Sequence, residues 1–196
     1  AVLHHANDLW GLDTYKTQDR IKAKHGDHQT RVVCIGPAGE HQVKIAALIN
    51  DHGRAAGRTG LGAVMGSKHL KAIGVRGSIG IPIADEGDMR EIAHEVIQNS
   101  SEDISAMSLR LAGTAGYWDM GVMYGDVPIR YFQQGEWESS GSLSGVIMSE
   151  QYQIRNTACY RCPIACGRET RAPADGVDKV DGPEYETVAA LGSLLM

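Results

Sequence analysis

The amino-acid sequence predicts an α+β fold, β-rich up to about Gly80 and mainly helical beyond it. Three observations carry that prediction. Short apolar or β-branched runs closed by glycine or proline fall before Gly80, whereas apolar residues recur at helical spacing from Asp85 onward. Pro82 marks the change of texture. The chemistry-bearing residues segregate in the same way, with all eight His at or before His94 and three of the four Cys at Cys159, Cys162 and Cys166.

Taken in order, the first element is a short helix around Thr17 to Lys24, followed by a polar loop carrying His25 and His28. Arg31 to Ile35 (RVVCI) reads as a buried strand turned by Gly36 and Pro37, with Cys34 serving as a small buried hydrophobe. Val43 to Ile49 is apolar and reads as a further strand. AVMGSKHLK suggests a short helix and AIGVRG a strand leaving it. Asp85 is a good N-cap with Glu86 and Asp88 behind it, and Met89, Ile92, Ala93, Val96 and Ile97 form an apolar stripe. Ser100 and Asp103 restart the same logic for Ile104, Met107 and Leu111. Gly113 to Gly145 lacks periodicity and reads as a long ordered loop. In DGPEYETVAALGSLL, Asp181 or Gly182 caps, Pro183 takes the first helical position, and Val188, Leu191 and Leu195 supply the buried stripe.

The 196 residues, 42% hydrophobic and 22% charged, suffice for one sizeable core in one or two domains. A net charge of −5 argues against nucleic-acid binding driven by bulk positive charge. No apolar run approaches the roughly 18 residues of a membrane span, and AVLHHANDLW lacks the features of a signal peptide. The expectation is a cytoplasmic protein with no membrane or nucleic-acid partner. The chain starts without Met and stops within an apolar periodic run, so it reads as a fragment of a larger polypeptide.

The 33 residues from His52 to Ala84 contain no Asp or Glu, yet carry Arg54, Arg58, Lys68, Lys71 and Arg76. Eight glycines lie between Gly53 and Gly80. Glycines that admit close backbone approach, beside a short helix with open N-terminal amides, predict a site for phosphate or pyrophosphate. The competing reading is a tight-turn region with solvated cations. A P-loop is excluded because Ser67 separates Gly66 from Lys68, and Gly60, Gly62 and Gly66 miss the dinucleotide spacing by one residue.

NTACYRCPIACGRE sets three thiols as C-x2-C-x3-C, a spacing suited to three corners of an iron–sulfur cubane. A zinc site and structural or redox thiols are the alternatives. Zinc needs a fourth ligand, and no His follows His94.

Four blocks in this order, IGPAGEHQVKIA, RAAGRTGLGAVMGSKHLKAI, CYRCPIACGRE and DGPEYET, resemble the aldehyde:ferredoxin oxidoreductase family of tungsten enzymes from about Leu9 to Leu195. His41 stands where the family usually has Asn. The resemblance implies a tungsten (or molybdenum) ion held by two pyranopterins, with magnesium bridging their phosphates, beside a 4Fe-4S cluster. Cys159, Cys162 and Cys166 match three cluster ligands, and a fourth Cys is expected beyond Met196. The cofactor segment maps onto Arg54, Ala55, Gly57, Arg58, Gly60, Gly62, Ala63 and Lys68. Residues 1–80 then correspond to the C-terminal part of a pterin-cradling domain, and 81–196 to the first part of a helical domain carrying the cysteines. The implied activity is oxidation of an aldehyde to a carboxylic acid, with electrons passing through the cluster to ferredoxin or an iron–sulfur partner subunit in a homo-oligomeric enzyme. The alternatives are the large catalytic subunit of a tungsten benzoyl-coenzyme A reductase, a non-catalytic iron–sulfur electron-transfer module and a zinc-stabilised interaction domain. Glu184 first and Glu186 second become candidates for general acid or base. On sequence alone both read as partners of the helix dipole, and the resemblance is what points them at the chemistry.

Overall fold

The computed structural model describes residues 1–195, in two compact units, Ala1–Ile81 and Pro82–Met196. The first unit opens with α1 (Thr14–His25). Asp13 caps it by accepting from the Lys16 amide at 2.8 Å, and Gly26 closes it in the left-handed conformation at φ 62°. Strands β1 (Arg31–Cys34), β2 (Leu48–Asn50), β3 (Arg54–Ala56) and β4 (Ala72–Val75) form one antiparallel sheet in the order β3-β2-β1-β4. Strand alternation turns Val32 and Cys34 to one side, where both are fully buried with Ile21 of α1. Burial pushes the Cys34 thiol above its ordinary value.

The strand expected over Val43 to Ile49 is mostly absent, since only Leu48 and Ile49 enter β2. The preceding carbonyls serve a helix instead. Ala46 O accepts from the Gly62 amide of α3 (Leu61–Ser67) at 3.0 Å, and Lys44 O lies where a Cβ on Gly60 would sit. Alongside runs α2 (Pro37–Glu40), whose Gly39 carbonyl would be 1.8 Å from a Cβ on Gly66. The close packing of α2 on α3 therefore requires glycine at that position.

The second unit begins with α4 (Glu86–Glu102), capped by Asp85 through the Gly87 and Asp88 amides, and α5 (Ile104–Ala112), capped by Asp103 through the Ala106 amide. The α4 stripe stays open: Met89, Ile92, Val96 and Ile97 are each 50–57% exposed. The stretch read as a loop contains a 3-10 turn (Thr114–Tyr117), α6 (Trp118–Tyr124) and a second 3-10 turn (Ser140–Leu143). Trp118 and Ala115 sit at the centre of this unit's core with Val127, Ile129, Val188 and Ala189. Helices this short complete too few turns to show periodicity, which is why their glycine-rich sequence looked irregular.

After α7 (Gly145–Tyr152), capped by Ser144, an antiparallel sheet unannounced by the sequence pattern follows: β5 (Gln153–Thr157), β6 (Gly167–Ala172) and β7 (Val177–Asp181). Glu169 of β6 is buried but bridges Arg155 on β5 at 3.0 Å and Lys179 on β7 at 2.8 Å. Hydrogen bonds from these cations, Arg155 first, hold its carboxyl at about 2 against an ordinary 4.5. The last helix, α8 (Tyr185–Leu191), starts later than expected. Glu184 occupies its N-cap position, and Pro183, after a cis peptide bond, lies outside it. Of the expected stripe only Val188 is buried; Leu191 and Leu195 are 71% and 62% exposed.

Candidate functional site

The glycine-rich segment lies wholly in the first unit. Arg54 and Ala55 stand on β3, the edge strand; Gly57 and Arg58 form the connection to α3; Gly60, Gly62 and Ala63 open that helix; and Lys68 closes it. Two features of the anticipated anion cradle change. The first-turn amides are already engaged, Gly62 with Ala46 O and Ala63 and Val64 with Gly60 O, so they do not offer an anion their protons. Gly60, Gly62 and Gly66 give close approach to the chain's own backbone rather than to a ligand.

The five cations also divide. Lys71 is fully buried, donating to Leu12 O at 2.8 Å and pairing with Glu40, whose carboxylate also accepts from the Gly11 amide at 2.9 Å. Arg76 pairs with Asp27 and Gln29, and its hydrogen bond lowers the Asp27 carboxyl below its ordinary value. Arg54, Arg58 and Lys68 remain exposed on one contiguous segment, with open space around Gly57. Guanidinium forks and an ammonium suit phosphate oxygens, so the donor chemistry fits pterin phosphates through side chains rather than helix amides.

The cysteine loop joins β5 to β6 in the second unit. Cys159 is exposed, and Cys162 and Cys166 are half-buried; all three thiols are free. The Cys162 amide donates to Cys159 O at 3.0 Å, and Asn156 anchors the far end by donating to Ala165 O at 2.9 Å. The residues immediately before the second and third cysteines, Arg161 and Ala165, are both left-handed, at φ 56° and 55°. Non-glycine residues hold that conformation only where the surroundings impose it, at roughly 1–2 kcal/mol each. A loop reversed just before two successive thiols, with no other cation-binding group on it, fits the donor set of a cubane cluster. Among the described residues no group of three His, Cys, Asp or Glu is gathered tightly enough to hold a single ion.

Beside this loop the structure assembles a polar knot that sequence reasoning missed. Arg168 follows Cys166 and Gly167 on β6 and is only 3% exposed. Its Nε donates to Ser149 Oγ and one Nη to Leu111 O, both at 3.1 Å. Burial pushes the guanidinium below its ordinary value, opposed by the attraction of the Glu184 carboxylate and of Cys166. A Cβ on Gly113 would lie 1.5 Å from the Arg168 guanidinium and 2.8 Å from Cys166 O, so glycine is required there. The Gly182 amide donates to Arg168 O at 2.8 Å and the Thr170 hydroxyl to Gly182 O at 2.7 Å, tying the GPEYE turn to the strand that leaves the cysteines. Glu184 is half-buried, and its Oε2 accepts from the Thr114 hydroxyl at 2.6 Å. Glu186 is exposed in the first turn of α8.

The thiol loop with a carboxylate nearby and the separate cationic glycine segment are donor sets suited to a metal cluster and to phosphates, and comparison with known proteins gives the family. The family described as aldehyde ferredoxin oxidoreductase matches through its N-terminal domain over residues 1–77 and through its domains 2 and 3 over residues 89–196. The chain belongs to the aldehyde ferredoxin oxidoreductase family. It is 44% identical over 191 residues to the tungsten-containing aldehyde ferredoxin oxidoreductase of Thermococcus kodakarensis and 42% identical to that of Pyrococcus furiosus. Each alignment covers 97% of this chain and 31% of the relative, so the chain spans about a third of the length of these curated relatives. A WOR-like subunit of an aliphatic sulfonate oxidoreductase from Pyrococcus furiosus is 31% identical over 202 residues, covering 95% of this chain and 32% of that subunit. Among solved structures, the active-site complex of a benzoyl coenzyme A reductase bound to 1,5-dienoyl-CoA superposes with a TM-score of 0.71 at 25% identity, over 97% of this chain and 31% of that one. Among the described residues no helix is long and apolar enough to cross a membrane.

Proposed function

We propose that this chain is the cofactor-anchoring part of a tungsten-dependent oxidoreductase that converts an aldehyde and water to a carboxylic acid, releasing two protons and two electrons. The identity of 42–44% to tungsten-containing aldehyde ferredoxin oxidoreductases over almost the whole chain carries this reading. The bound tungsten bis-pyranopterin supplies the two-electron chemistry, and a 4Fe-4S cluster the electron exit to ferredoxin or an iron–sulfur partner.

The chain's own residues divide the remaining work. Arg54, Arg58 and Lys68 would hold pterin phosphates, with Ala55 and Gly57 leaving room for them on the exposed segment, and magnesium would neutralise further phosphate charge. Cys159, Cys162 and Cys166 hold three irons. Glu184, half-buried and oriented by its neighbours, holds and moves the substrate-side proton, a role typically worth about 100- to 10,000-fold in rate; Glu186, exposed, ranks second.

Reduction of an aromatic ring carried on a coenzyme A thioester is the second reading, favoured by the fold shared with the benzoyl coenzyme A reductase complex. Elemental analysis of the full-length protein separates the classes. Tungsten with iron is the expected result; iron without tungsten indicates an electron-transfer module, and zinc alone overturns the redox reading. Turnover of aldehydes against aromatic thioesters then separates the two enzymes.

A further inference from the structure

We propose that Thr114 is a positioning residue that holds the Glu184 carboxylate in place for proton transfer, an inference resting on the reading of Glu184 as the proton-handling group. The geometry is a hydroxyl with both of its roles assigned. Thr114 Oγ1 accepts from the Tyr185 backbone amide at 2.9 Å and lies 2.6 Å from Glu184 Oε2. An amide N–H can only donate, so the hydroxyl's acceptor side faces Tyr185. Its single proton is left for the carboxylate.

The arrangement also frees Glu184 from a competing task. A short acceptor side chain at an N-cap ordinarily bonds the amides of its own helix, and the longer Glu184 side chain makes no such bond. Thr114 satisfies the first amide of α8 in its stead. The glutamate is thereby held by a residue 70 positions away rather than by its own helix.

Thr114 is itself placed by a constraint in the fold. It follows Gly113, whose φ of 59° and lack of a side chain admit the Arg168 guanidinium. Arg168 is buried, bonded to Ser149, and its charge attracts Glu184. The threonine therefore starts its 3-10 turn from a fixed point beside the carboxylate it orients.

The test uses the full-length, metal-loaded enzyme with T114V, T114S, E184Q and the T114V/E184Q double variant, each checked for tungsten and iron content. T114V should lower kcat on the order of 10- to 100-fold, as misplacement of a reacting group does, with KM and metal content little changed. T114S, which keeps the hydroxyl, should retain most of the activity. In the E184Q background T114V should cost nothing further, because a positioning residue has no effect once its target is gone. A crystal structure of T114V should show the Glu184 carboxylate rotated away from its position in the parent.

An equal loss from T114V in both backgrounds, or an unmoved Glu184, overturns the proposal while leaving Glu184 its role. Full turnover of E184Q with its metals intact overturns the role of Glu184, and the proposal with it.

Discussion

Two cationic side chains drawn from one basic stretch of sequence do opposite things in the folded chain. Arg58 projects from the connection between β3 and α3, whereas Lys71 is sealed against Glu40 and Leu12. Sequence gives both the same charge and nearly the same surroundings; only burial separates them. Replacing one partner of a buried ion pair leaves the other charge uncompensated, at roughly 3–5 kcal/mol, whereas surface truncations usually stay within about 0.5 kcal/mol. K71A should therefore lower the melting temperature of the protein markedly. R58A should lose pterin and tungsten and, compared with the parent in cofactor-free form, melt close to it. The checks are calorimetry and cofactor content on both variants, and an R58A that keeps its full pterin complement would return Arg58 to the solvent-facing reading.

At the scale of elements, glycine carries two meanings that spacing alone does not distinguish. Gly66 lies against the Gly39 carbonyl, so G66A forces α2 and α3 apart. Overpacking of this kind typically costs about 1–3 kcal/mol, and a thermal melt should show it as a lowered melting temperature. Gly57 has open space where a side chain would extend, so G57A should leave the melt of the cofactor-free protein unchanged. The N-caps Asp85 and Asp103 were legible because a carboxylate ahead of open amides is a local signal, and both side chains make the expected bonds. The sheet of β5, β6 and β7 was not legible. Its strands carry Arg155, Glu169 and Lys179 where alternation of apolar residues would have announced them, and cross-strand ion pairs link them instead. The site divides in the same way. The cysteine spacing and the GPEYE block were readable, while Thr114 and Arg168 reach Glu184 only through contacts that no local pattern encodes.

For the whole molecule, the contrast between these ion pairs and the apolar cores predicts how it responds to acid. Glu169 is the carboxylate with the most deeply lowered folded value, about 2 against an ordinary 4.5, because Arg155 and Lys179 donate to its charged form. A depressed folded value means that the contribution to stability is complete above the ordinary range and is lost as pH falls from about 4.5 through about 2. Asp13 and Asp27 in the first unit, also lowered, contribute in the same direction, so the parent's acid sensitivity alone does not isolate Glu169. The difference between the parent and E169Q does. Glutamine keeps the shape and one acceptor, and the two cations it leaves are both more than half exposed, so no buried charge is stranded. The gap in melting temperature between parent and E169Q should be widest near neutral pH, narrow below about 4.5 and close near 2. A gap that stays constant across that range would mean that Glu169 stabilises the sheet by packing rather than by charge, and the ion-pair account of the second unit would fail.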